Sequence, residues 1–96
     1  MVNKTIQMAT VFIPTLMQEM SDGNITVDVK GTTVREVINN LDSTYPGFKE
    51  RLIEGYKIKS HISVAVDGII TPIGLLEKVS PTSEVHFLPA VSGGDI

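Results

Sequence analysis

Apolar and polar positions alternate along three stretches of the chain, and the alternation sets the first expectation. Residues 6–13, Ile-Gln-Met-Ala-Thr-Val-Phe-Ile, are rich in β-branched and apolar types and stop at Pro14. They predict a strand running mostly from Met8. Ile25-Thr26-Val27-Asp28-Val29-Lys30 alternates strictly and predicts a half-buried strand with Ile25, Val27 and Val29 facing inward. Ser21-Asp22-Gly23-Asn24 turns the chain between these strands, and segment 14–20 is expected to form a loose turn with Leu16 packed inward. His61-Ile-Ser-Val-Ala-Val66 alternates again and runs into Asp67-Gly68, a tight-turn pair, with Ile69-Ile-Thr71 as the return strand ahead of Pro72. Gly74-Leu75-Leu76 opens a compact loop, Val79 to Ser83 turns it, and Glu84-Val-His-Phe-Leu88 is the last strand, closed by Pro89.

One stretch follows a different period. Val34, Val37, Ile38, Leu41 and Tyr45 recur at helical spacing, with Arg35, Glu36, Asn39, Asn40 and Asp42 on the wet face. Thr33 and Glu36 have the spacing of a capping box, in which Thr33 caps and Glu36 reaches back. Pro46 ends the helix because it disfavours the helical region for Tyr45. Residues 47–54 predict a short second helix with Phe48 and Leu52 inward, stopped by Gly55. The order β-β-α-β-β-β is met most economically by a mixed sheet with the helix across one face. Hairpins at 6–30 and 61–71 flank it, and the last strand fills the centre beside the first. This is the α+β order of a ubiquitin-like β-grasp with four to five strands.

Composition narrows the function. The chain has 96 residues, enough for one domain and one modest core. It has no cysteine, which removes disulfides, thiolate metal sites and cysteine nucleophiles. His61 and His86 are the only histidines, they meet no ligand spacing, and both are expected at the surface or an edge, so no metal site is expected. A net charge of −3 and 5% aromatic residues argue against a nucleic-acid binder. No apolar run approaches the length of a membrane span or a secretory signal, so the expected compartment is the cytoplasm and no membrane partner is expected. Elbow-serine, zincin and phosphate-loop motifs are absent, so no catalytic residue is expected. Glu50 and Glu54 stand four apart on an exposed helix face among Lys49, Arg51, Lys57 and Lys59. Charge runs of this kind usually form a solvated, salt-bridged face. The alternative is a docking patch for an acidic partner, since residues 49–59 are basic in an otherwise acidic chain. Tyr45 and Phe48 are assigned to core packing.

The C-terminal run is different. Phe87-Leu-Pro-Ala-Val-Ser-Gly-Gly94 leaves a strand and then loses its side chains. Two glycines have the smallest cross-section a chain can have and adopt backbone angles closed to other residues, which suits a tail that must reach a buried active site in another protein. A frayed end is the plainer alternative. The strand phase places Val85 and Phe87 in the core and Leu88 outside, with Val91 beyond the sheet.

With that tail at the end of a β-grasp pattern, the sequence resembles the MoaD/ThiS family of ubiquitin-like sulfur carrier proteins. The resemblance rests on Ala9-Thr-Val-Phe-Ile13, Thr32-Thr-Val-Arg-Glu-Val-Ile-Asn-Asn-Leu41, Val64-Ala-Val-Asp-Gly68 and Val85-His-Phe-Leu-Pro-Ala-Val-Ser-Gly-Gly94. Pro14-Thr15, Phe48-Lys-Glu-Arg-Leu52 and Leu88-Pro-Ala-Val91 look closest to the branch that carries sulfur for cysteine biosynthesis. The resemblance implies a non-enzymatic carrier with a β-grasp domain over residues 1–91 and a tail over 92–96. It implies an E1-like adenylating enzyme that uses ATP to activate the Gly94 carboxylate, no cofactor bound by the carrier itself, and a sulfur-accepting synthase that receives the resulting thiocarboxylate. Val91, Ser92, Gly93 and Gly94 would thread the partner's active site, and Leu88 and Val91 would dock against it. Asp95 and Ile96 follow Gly94, so the Gly94–Asp95 bond becomes a processing site, for which a JAMM-type metalloprotease is the implied agent. A small subunit of molybdopterin synthase and a ubiquitin-like protein modifier are the alternatives. The family often carries an Asp-Gly-Asp type of turn before its last strand, where this chain has Ser80-Pro-Thr-Ser-Glu84.

Overall fold

A computed structural model describes residues 8–90. The strands are β1 (Ala9–Phe12), β2 (Thr26–Val29), β3 (Ile53–Glu54), β4 (Lys57–Ile58), β5 (Ile62–Val66), β6 (Ile69–Ile70) and β7 (Glu84–Pro89). The helices are α1 (Val34–Thr44) and α2 (Phe48–Leu52), with 3-10 turns at Thr15–Ser21 and Gly74–Leu76. Five strands form one sheet in the order β2-β1-β7-β5-β6. β7 enters the centre parallel to β1, pairing Val11 with Val85, and antiparallel to β5, pairing Val64 with Phe87. The first and last strands therefore lie side by side, as the β-grasp order requires.

The core is built on one face of this sheet. Val34, Val37, Ile38 and Leu41 of α1 are completely buried, as are Val11 and Val85 beneath them and Phe48 and Leu52 of α2. The α1 start follows from its sequence. The Thr33 hydroxyl accepts from the Glu36 N–H at 3.2 Å, and the Glu36 carboxylate accepts from the Thr32 N–H and hydroxyl, both at 2.8 Å. Glu36 thus reaches one residue further back than the capping-box spacing predicts. Asp42 then joins the helices, its Oδ1 accepting from the Gly47 N–H at 2.9 Å and the Lys49 N–H at 3.0 Å. Gly31 is required where β2 meets α1. Its φ is 153°, and a Cβ there would stand 2.8 Å from both the backbone nitrogen and a methyl of Val37. The Asp67-Gly68 turn forms as predicted, with both residues at positive φ, 53° and 86°.

Four expectations need correction. Leu16 does not pack inward; it is 90% exposed, and Met17 is buried in its place. Residues 15–21 form a 3-10 turn in which Met17 N–H donates to Pro14 C=O at 2.8 Å, and three residues per turn align Met17 with the half-buried Met20. Ile25 is 63% exposed. β2 is an edge strand whose Val29 end runs into Gly31 and α1, so burial falls away through Val27 to Ile25. The second helix stops at Leu52, and Ile53–Glu54 instead pairs with Lys57–Ile58 in a small separate hairpin. Glu50 and Glu54 therefore do not share a helix face. The return strand after Asp67-Gly68 is shorter than 69–71, ending at Ile70.

Candidate functional site: the tail exit

β7 sorts its side chains by alternation. Val85 and Phe87 enter the core, His86 lies half-buried on the opposite face, and Leu88 is exposed there, as its phase predicts. The chain stays tied to the sheet through Ala90, whose N–H donates to His61 C=O at 2.9 Å. Gly94 is four residues further on, a reach of at most about 14 Å of extended chain. Val91, Ser92, Gly93, Gly94 and Asp95, the expected tail and processing residues, lie outside the described residues, as does the 92–96 tail segment as a whole.

A groove of about 350 Å³ opens at this exit, lined by Leu16, Met17, Leu52, Phe87, Leu88 and Pro89 with Arg51, Lys59 and His61 around them. Leu16 completes an apolar rim with Leu88. Sequence reasoning placed Leu88 there but not Leu16, because adjacent Leu16 and Met17 carry no signal of which one turns inward. The 49–59 charge run divides in space. Arg51 and Lys59 border this groove, while Lys57 faces a second one.

Leu88 also continues onto the open face of the sheet. The strand registers set Phe12, His86, Ala65 and Ile70 in one row across it. His86 stacks on Phe12 with ring centroids 4.1 Å apart and planes 16° from parallel. His86 is thus a surface residue of a central strand, and His61 is exposed at the start of β5. Ala65 is 5% exposed although its register places it on this face. Tyr45 meets Phe48 edge-on at 6.5 Å, the packing role assigned to the pair. Among the described residues, no group of acidic, histidine or cysteine side chains could hold a metal ion, and no helix is long and apolar enough to cross a membrane. One carboxyl departs from its ordinary behaviour. Hydrogen bonds from the Thr32 backbone and then its hydroxyl hold Glu36 below the usual carboxylate range.

Residues 11–94 match the profile of the ThiS family. The chain belongs to that family. The sulfur carrier protein CysO of Mycobacterium tuberculosis is 31% identical over 90 residues, covering 88% of this chain and 97% of that protein. Small archaeal modifier protein 3 of Haloferax volcanii is 31% identical over 64 residues, covering 65% of this chain and 70% of that protein. The solved BexX/CysO complex of Amycolatopsis orientalis contains a chain that superposes with a TM-score of 0.82 at 35% identity, covering 90% of this chain and 99% of its own. The solved M. tuberculosis CysO gives 0.80 at 29% identity over 86% of this chain and 99% of its own. Both share the ubiquitin-like β-grasp seen here.

Proposed function

We propose that this ThiS-family chain is a sulfur carrier whose reacting group is the Gly94 carboxylate. The observation that supports the reading is that the family match runs to Gly94, four residues in sequence past Ala90, which is bonded to His61 near an apolar groove. In an E1-like partner the Gly94 carboxylate oxygen attacks the α-phosphate of ATP and pyrophosphate leaves. A sulfur donor then attacks the acyl carbon, AMP leaves, and a thiocarboxylate remains. The poor electrophile becomes a mixed anhydride, and the product sulfur is a good nucleophile for a sulfur-accepting synthase. This chain binds through Leu16 and Leu88, delivers the acyl group, and has no thiol of its own to intercept the activated carbonyl. The similarity to CysO favours service in cysteine biosynthesis over the molybdopterin role, and a small cytoplasmic carrier fits both.

While Asp95 follows Gly94, that carbonyl is an amide with no carboxylate to adenylate. A JAMM-type metalloprotease is the agent we assign to the Gly94–Asp95 cleavage. Mass spectrometry tests this with the E1-like partner, ATP and a sulfide source. The chain ending at Gly94 gains the mass of oxygen replaced by sulfur, and the full-length chain does not. Thiolation of the full-length chain without loss of its last two residues would overturn the reading. The similarity to a small archaeal modifier favours a second reading, conjugation of Gly94 to protein lysines. It shares the adenylation step and is distinguished by isopeptide-linked adducts.

A further inference from the structure

The groove at the tail exit has an apolar floor and a cationic rim. Met17, Leu52 and Phe87 of the core form its floor, and Leu16 and Leu88, 90% and 38% exposed, stand over them. Its charged lining residues are Arg51 and Lys59, and no carboxylate is among the residues that line it. Glu54, the carboxylate of the small hairpin, is set opposite Lys57. Lys59 stands instead opposite an apolar residue, its N–H bonding to Leu52 C=O at 3.0 Å. An exposed apolar groove beside two cations suits an occupant that is both apolar and acidic.

The described residues end at this groove. The Ala90 N–H bonds to His61 C=O at 2.9 Å, and Pro89 and His61 both line the groove. The next six residues are Val91-Ser-Gly-Gly-Asp-Ile96, whose last two side chains are a carboxylate and a large apolar group. Fully extended, six residues reach about 20 Å, and a turn brings the last of them back. Residues 1–7 suit the groove poorly. β1 runs parallel to β7, so its first residue lies at the end of the sheet remote from Pro89. Those residues also carry Lys4 and no carboxylate.

We propose that Asp95 and Ile96 fold back into this groove, Ile96 against Leu16 and Leu88 and Asp95 toward Arg51 and Lys59. A two-residue turn on Gly93-Gly94, a pair favoured in tight hairpins, sets Asp95 opposite Ser92 and Ile96 opposite Val91. Val91 continues the strand phase of Phe87 and Pro89, so Ile96 comes to the side of Phe87 and the groove floor. The inference rests on the reading of Gly94 as the reacting end and adds a control to it. With Asp95 and Ile96 in place, the acyl group is an amide and the docking residues Leu16 and Leu88 are covered. One hydrolytic cut adds water across the Gly94–Asp95 amide. It leaves a carboxylate on Gly94 and an amine on Asp95, and it opens the docking surface at the same time.

NMR of the 96-residue chain beside one ending at Gly94 tests this without any sulfur chemistry. The amides of Leu16, Leu52, Lys59, His61 and Leu88 are expected to differ between the two. The Ile96 methyls are expected to show NOEs to Leu16 or Leu88. The Asp95→Lys, Ile96→Ser double variant of the 96-residue chain should return those amides to their positions in the shorter chain. Added salt should move them part of the way. Both substitutions lie beyond the last strand, so matching amides along α1 and β5 verify the fold. Coincident groove amides in the two chain lengths overturn the inference, as do NOEs from Ile96 to any other surface. A double variant that keeps the positions of the 96-residue chain overturns it too. Differences that vanish on dilution do the same, because the tail of a second copy is then the occupant. Failure of the shorter chain to be thiolated would sink the sulfur reading and leave these shifts untouched.

Discussion

The two faces of the central sheet are made by the same strands and do opposite work. On the inner face Val11, Val64 and Val85 close against α1 with no more than 2% of any side chain left exposed. On the outer face the neighbouring positions are Phe12, Ala65, His86 and Leu88, and no helix lies over them among the described residues. The inner face is redundant, each apolar residue supported by several others. The outer face is sparse, a single ring stack and a few apolar residues leading to the tail exit. A period of two along each strand thus separates the buried face from the open one, and substitutions one residue apart should have different consequences.

The largest effect belongs to the inner face. Leu41→Ala empties a completely buried position and is expected to cost about 2–5 kcal/mol, measured by urea unfolding. The folded fraction should still be thiolated at Gly94. A loss within the surface range would mean that the inner face is looser than its burial indicates. On the outer face His86→Ala removes the stack on Phe12 and should cost about 1 kcal/mol in the same assay. Leu88→Asp sharpens the contrast further. Its stability should change by no more than about 0.5 kcal/mol, as for exposed sites. Partner-dependent thiocarboxylation should nonetheless fall about tenfold or more, a loss typical of a contact at the centre of an interface. Normal activation of a folded Leu88→Asp variant would remove the outer face from the docking surface.

The smallest expected effect lies at the start of α1 and depends on pH. The bonds from Thr32 favour ionised Glu36, so its folded-state pKa lies below the ordinary 4.5. Its contribution is complete above that ordinary value and is lost as the pH falls through the lowered one. Glu36→Gln should flatten this acid limb of the stability profile without changing tail chemistry. Urea midpoints measured across the acid range verify it.

How much of this was legible depended on whether one period dominated. Val34, Val37, Ile38 and Leu41 admit only a helix with that face inward, and Val85, Phe87 and Leu88 admit only one strand phase. Leu16 and Met17 are adjacent and apolar, and the Pro14-led 3-10 turn that chooses between them is a three-dimensional decision. Ile25 alternates correctly, but alternation cannot say where the helix stops covering an edge strand. The β3–β4 hairpin leaves no trace in the hydrophobic pattern because two-residue strands carry no period at all. At the candidate site, Leu88 followed from β7 alone, whereas its neighbour Leu16 comes from a segment far away in sequence.

The parallel pairing of β1 with β7 has a kinetic consequence. The sheet's centre joins residues from opposite ends of the chain, a high-contact-order arrangement in which loop closure must precede the reward of the contact. A chain made from its N-terminus holds β1, β2 and α1 early but has no partner for the inner edge of β1 until Glu84–Pro89 arrives. Any product broken off before β7 lacks the strand that closes the core. The residues made last, Val85 and Phe87, thus complete both the centre of the sheet and the core beneath α1.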